Sequence, residues 1–132
     1  MKVVDTTFLI SLLRNDGRTL EKAKKLDDEG GAATTVINVF EVAYGVFRGM
    51  AEPSKRLKAF ERVVSNLDVF PLNYNAAMRA AEISGTLDRD GIGIDPFDAL
   101  VAAITLVNGA ESLVTRNVSH FERIQGLNVE EH

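Results

Sequence analysis

Two kinds of segment alternate along the chain. Short runs suited to strands, KVV at 2–4, AATT at 32–35, DVFPL at 68–72, ESLVT at 111–115 and LNVEE at 127–131, are separated by longer stretches whose apolar residues return at helical spacing. The first of these, TFLISLLR at 7–14, begins once Asp5 and Thr6 have closed the opening run. GRTLEKAKKLDDEGG at 17–31 reads as a helix with a mostly polar exterior and a glycine stop. A threonine of AATT can cap the helix VINVFEVAYGVFRG at 36–49, which is apolar nearly all round. A charged helix from 53 to about 66 follows, then one from about 75 to 88, the glycine loop RDGIGID at 89–95, and a helix from 96 to about 108. VSHFERI at 118–124 reads as a short helical turn.

Strands that alternate with helices and are apolar on both faces predict an α/β domain in three layers, with a central parallel sheet between helices. No repeat, linker or low-complexity segment interrupts the pattern, so one domain over 1–132 is expected. No run approaches the roughly 20 apolar residues of a membrane span, and Asp5 cuts the opening MKVV too short for a signal-type core, so a cytoplasmic protein is expected. The closing Glu-Glu-His is given no role.

Composition narrows the chemistry. Without cysteine there is no disulfide, thiolate zinc site or cysteine nucleophile, and a bound metal would have to be a hard cation held by oxygen or by one of the two histidines. A formal charge of −4 disfavours general adhesion to nucleic acid. A polyanionic substrate would need a local basic face or a metal.

The acids are therefore the candidates. In open parallel sheets chemistry gathers beyond the carboxyl ends of the strands. Asp5 stands at such an end, and Asn117 follows the LVT strand in the same way. Asp98 is the third residue of a helix capped by Asp95 and opened by Pro96, and Glu41 interrupts the apolar VINVFEVAYGVF. Each has an ordinary explanation. Asp98 could complement the helix dipole, Glu41 could lie on a narrow polar edge shared with Asn38, Gly45 and Arg48, Asp5 could cap the next helix, and Asn117 could serve a turn. Phe40, Tyr44 and Phe47 have the spacing of core or interface residues.

Together these segments are more specific than each alone. VVDTTFLISLL at 3–13, TTVINVFEVAYGV at 34–46, GIGIDPFDALVAA at 91–103 and LVTRNVSHFERIQGL at 113–127, in order and suitably spaced, resemble the PIN-domain ribonucleases, and among them the VapC-type toxins of toxin–antitoxin pairs. The resemblance implies a PIN-like fold and a metal-dependent endoribonuclease. Asp5, Glu41 and Asp98 would hold Mg²⁺ or Mn²⁺, Asn117 would be a further site residue, and Thr6 and Thr115 would support the carboxylates. It also implies an RNA substrate, a small cognate antitoxin laid across the acidic crevice, and a homodimer. Relatives often carry a further acid where this chain has TRNVSHF, with Asn117, Ser119 and His120. That departure leaves open an alternative: a weak or inactive module that binds protein on the same fold.

Other signals carry less. The glycine after Asp90 comes too early for an EF-hand calcium loop, so RDGIGID reads as a turn. Lys55, Arg56, Lys58 and Arg62 read as a solvated helix face, with RNA contact as the lesser reading. His120 and His132 are too far apart in sequence to suggest a metal pair. A phosphatase of the haloacid-dehalogenase type would need a second aspartate two residues after Asp5, where Thr7 stands, and a receiver would need an aspartate after DVFPL.

Overall fold

A computed structural model describes residues 1–49 and 51–132. Its strands are β1 (Lys2–Val4), β2 (Ala32–Thr35), β3 (Asp68–Phe70), β4 (Leu113–Thr115) and β5 (Val129–Glu131). The helices are α1 (Thr6–Leu13), α2 (Gly17–Asp28), α3 (Val36–Arg48), α4 (Pro53–Val64), α5 (Tyr74–Arg89), α6 (Pro96–Val107) and α7 (Val118–Phe121). All five strands run parallel in the order β3-β2-β1-β4-β5, so the expected α/β architecture with a central parallel sheet is what forms.

Strand alternation divides the core. Val3, Ala33 and Leu113 face one side, with Ala80, Ile83 and Leu87 of α5 and Val101, Ala102 and Ala103 of α6. Val4, Ala32 and Val114 face the other, with Phe8 and Leu9 of α1, Leu26 of α2 and Phe60 of α4. A one-residue slip of β1 would exchange Val3 for Val4 and break both layers, which fixes the register. That register pairs Val3 with Leu113 and Val4 with Val114. β1 is followed on one side by β2 and β3 and on the other by β4 and β5, so the crevice between the ends of β1 and β4 is where the connections part. Asp5 and Thr115 stand beside each other there, and the Asp5 amide donates to the Val114 carbonyl at 3.2 Å.

Two expectations need correction. The strands are not all apolar on both faces, because β3 is largely exposed and β5 only half-buried. Both are edge strands with a neighbour on one side only, and β3 stops at Phe70 because Pro71 cannot donate to a ladder. The face of α3 turned inward also differs from a purely apolar reading. Asn38, Val42 and Val46 are buried, whereas Phe40, Tyr44 and Phe47 are exposed and form no part of the core. The aromatic residues instead cluster outside, Phe40 stacked on Tyr44 at 5.8 Å and edge-on to Phe97 at 5.6 Å, with the Arg48 guanidinium over Tyr44.

Candidate active site

The crevice is built outward from Asp5, which caps α1 and is 4 % exposed. Its Oδ1 accepts from the Thr7 hydroxyl at 2.6 Å and from the Phe8 amide at 3.1 Å, and its Oδ2 accepts from the Thr115 hydroxyl. Thr115 in turn accepts from the Asn117 amide at 2.9 Å, and Thr7 accepts from the Arg116 amide at 3.1 Å. A carboxylate has about four lone-pair sites. The chain's own donors take three of them, so Oδ2 keeps capacity for one more partner.

Glu41 is reached by a second chain of hydrogen bonds. The Thr35 hydroxyl donates to Asn38 Oδ1 at 2.7 Å, Asn38 Nδ2 donates to the Thr6 hydroxyl at 3.0 Å, and Thr6 donates to Glu41 Oε1 at 2.8 Å. Asn38 is almost wholly buried, and its amide is satisfied on both ends by these threonines. Thr6 and Thr7 therefore serve different carboxylates from adjacent positions at the start of α1.

Asp98 is placed by the start of α6. Asp95 caps that helix, its Oδ1 accepting from the amides of Phe97 at 2.8 Å and Asp98 at 3.3 Å. This leaves the Asp98 side chain free of capping duty, and its Oδ2 lies 3.1 Å from Nδ1 of His120 on α7. Asp98 borders a small pocket of about 180 Å³ with Asp95, Ser119, His120 and Arg123. Glu41 borders a separate groove of about 470 Å³, with Ile10, Leu13 and Val46 among its apolar lining and Arg14, Arg48 and Arg56 around it. The Asn117 side chain is exposed at the cap of α7 and makes no capping bond.

The acids share a field although they do not share a point. Burial raises the Glu41 pKa above the ordinary value. The Thr6 hydrogen bond opposes this, and the charges of Asp98, Asp95 and Asp5 add to it. Burial likewise raises the Asp98 pKa, with Asp95 and Asp5 adding and His120 opposing. Among the described residues, no three histidine or carboxylate side chains converge closely enough to hold one ion between them. Glu41 is bonded instead to Thr6, and Asp98 to His120. The chemistry of the donors nonetheless suits a hard divalent cation: carboxylate oxygens only, mutually repelling, with an open position on Asp5 Oδ2.

Four residues of this site carried no functional signal in sequence. Thr7 differs from Thr6 only in the direction it faces. The cue for Asn38 is its place as an amide three residues before Glu41 in an apolar helix, since buried amides need partners. His120 and His132, discounted as a pair, each reach the crevice separately, His120 at Asp98 and His132 Nε2 at 3.2 Å from the Thr7 hydroxyl. The closing Glu-Glu-His does have structural contacts: Glu130 pairs with Lys2 and Lys22, and His132 reaches Thr7.

A parallel sheet in this order, with acids just after β1 and on α3 and α6, defines a class, and the comparisons agree: residues 2–127 match the PIN domain, and the chain belongs to that family. Within the family it is similar to the tRNA(fMet)-specific endonuclease VapC of Shigella flexneri, 28% identical over 129 residues that cover 98% of this chain and 96% of the relative. It is 34% identical to Ribonuclease VapC1 of Rickettsia felis over 130 residues, 96% of this chain and 92% of the relative. Among solved structures, VapBC from Salmonella typhimurium bound to DNA superposes with a TM-score of 0.87 at 27% identity, covering 98% of this chain and 96% of that one. VapBC2 from Rickettsia felis, bound to a DNA fragment from its promoter, gives 0.91 at 20% identity over 99% and 98%, a likeness of fold.

Proposed function

We propose that this chain is a Mg²⁺- or Mn²⁺-dependent endoribonuclease, the toxin of a toxin–antitoxin pair, acting in the cytoplasm as one PIN domain over 1–132. The observation that carries the reading is Asp5. A buried carboxylate at the switch point of the sheet is gripped by two threonine hydroxyls and an amide, yet keeps one open position, and its charge acts on both Glu41 and Asp98. Relatives named as endonuclease and ribonuclease at 28% and 34% identity over nearly the whole chain support the same assignment.

In this reading Asp5, Glu41 and Asp98 would hold the cation, which would supply a polarised water and charge compensation at the phosphoryl oxygens. The chain's own part is positional. Thr7 and Thr115 fix the plane of the Asp5 carboxylate, Thr6 and Asn38 present Glu41, and His120 restrains Asp98. Asn117 adds an uncharged oxygen at the rim. Hydrolysis would join the water oxygen to phosphorus and break one phosphorus–oxygen ester bond, the departing oxygen leaving as a hydroxyl with a proton that the water gave up.

The partners follow from the same reading. A second copy of this chain covers the exposed aromatic cluster of Phe40, Tyr44 and Phe97, whose apolar area a monomer would leave in water. A small antitoxin lays a segment over the acidic crevice.

The test is cleavage of structured RNA with Mn²⁺ or Mg²⁺ and with chelator. Activity that needs the ion and disappears in Asp5→Asn upholds the assignment. A protein that stays inert with either ion, even freed of any bound antitoxin, is the binding module instead. Adding Mn²⁺ should also raise the melting temperature, by an amount equivalent to about 2.7 kcal/mol at a hundredfold excess over Kd.

A further inference from the structure

The mechanism leaves one hydrogen bond unused, between Thr7 and His132. β5 pairs with β4 in a register that sets Glu131 beside Thr115, so the residue after β5 emerges next to Arg116, at the end of the sheet where Asp5 lies. His132 Nε2 is 3.2 Å from Thr7 Oγ1, and its ring meets the buried Phe8 edge-on at 5.0 Å and 71°. The ring is therefore held by packing as well as by the hydroxyl.

A count of hydrogens gives the direction of that bond. The Thr7 hydroxyl has one hydrogen and two lone pairs. The hydrogen goes to Asp5 Oδ1 at 2.6 Å, and one lone pair receives the Arg116 amide at 3.1 Å. Only a lone pair remains for His132, so the imidazole donates through Nε2–H. Its Nδ1 is buried without a partner, which suits a bare lone pair better than an N–H, since orphaned donors are the rarer defect. Burial also lowers the His132 pKa, Asp5 opposing, which favours the same neutral ring. Two donors pointed at the Thr7 oxygen leave its hydrogen one direction, toward Asp5. A helical threonine would otherwise be able to turn back to a carbonyl of the preceding turn.

We propose that His132 is a positioning residue of the acidic site: through Nε2–H it fixes the Thr7 hydroxyl, which fixes the Asp5 carboxylate. The hydrogen-bond relay stands independently, whereas its value to cation binding rests on the nuclease reading above.

The test begins with the long-range ¹H–¹⁵N spectrum of the full chain at neutral pH. The chain has two histidines, and His132→Gln assigns the signals by loss. The relay requires His132 as the Nε2–H tautomer, and Thr7→Val should release it into an averaging mixture. An Nδ1–H tautomer, or averaging already in the native protein, overturns the proposal. The Asp5 carboxyl ¹³C resonance should move in His132→Ala and return in His132→Gln, whose amide N–H can replace Nε2–H; an unmoved resonance also overturns it. Manganese affinity, read by electron paramagnetic resonance, should fall about tenfold in His132→Ala, the lower end for partners of a metal ligand, and recover in His132→Gln. Unchanged affinity removes the positioning role even if the tautomer is as stated. If the native protein binds no manganese, the nuclease reading fails, and the tautomer and Asp5 resonance still decide the relay.

Discussion

The two ends of the acidic crevice are built differently. At Asp5 the carboxylate is almost wholly buried and receives three hydrogen bonds from groups anchored in β4 and the first turn of α1. At Asp98 the carboxylate is 22 % exposed and meets one partner, His120, itself 53 % exposed on a four-residue helix. One corner is preset by the sheet and the other can move. A site with one fixed and one adjustable ligand can close on an ion without the whole crevice being strained beforehand, at the cost of some preorganisation.

Removing a hydroxyl from the fixed corner should cost the most stability. Thr115→Val keeps the shape but takes a donor from buried Asp5, so a loss of roughly 1–3 kcal/mol in stability is expected by denaturant unfolding. RNA cleavage should fall roughly 10–100-fold. At the adjustable corner, His120→Ala should cost stability less than Thr115→Val and lower activity less, since water replaces an exposed imidazole. Equal losses in the two variants would erase the distinction between the corners.

Asp98→Asn sharpens the contrast by separating binding from folding. It should abolish cleavage yet leave the metal-free protein at least as stable as the native one at pH 7. A raised folded pKa means the folded protein takes up that proton before the unfolded chain does, so the ionised group costs stability at neutral pH. Glu41→Gln should behave alike. In both, the advantage over the native protein should shrink as the pH is lowered through the ordinary carboxylate range, measured by thermal melts at several pH values. A clear loss of stability in Asp98→Asn at pH 7 would place that carboxylate in a structural role instead.

The smallest effect lies outside the site. Glu130 receives Lys22 and Lys2, which hold its pKa down to about 2 against an ordinary 4.5. Below about 4.5 the unfolded chain binds a proton that the folded one does not, so this contribution is full above that pH and drains away as pH falls toward 2. Glu130→Gln should flatten that part of the acid-unfolding curve. It should change little in cleavage.

Much was legible in the chain itself because it is local. Helical spacing set the α-helices within three residues at each end, Asp95 and Pro96 announced the start of α6, and the glycines of RDGIGID, at φ +73° for Gly91 and +69° for Gly93, mark a turn that side chains rarely adopt. Alternation of strands and helices was sufficient for the parallel sheet, because parallel neighbours need a crossover and the helices supply it. That Asp5 would stand at the carboxyl end of a buried strand also followed, and such ends are where sheets of this kind hold their sites.

Tertiary structure decided the rest. The order β3-β2-β1-β4-β5 depends on pairings 16 (Leu113 with Val129) to 110 (Val3 with Leu113) residues apart, on which local periodicity has no bearing. That order sets which threonine holds which acid, and it brings His132 to Thr7, 125 positions away in sequence. It also turned α3 so that Asn38 faced inward and the aromatic residues outward, against what hydrophobicity alone would favour. Apolar spacing says that a helix has faces, but only the surface it packs against says which of them is covered.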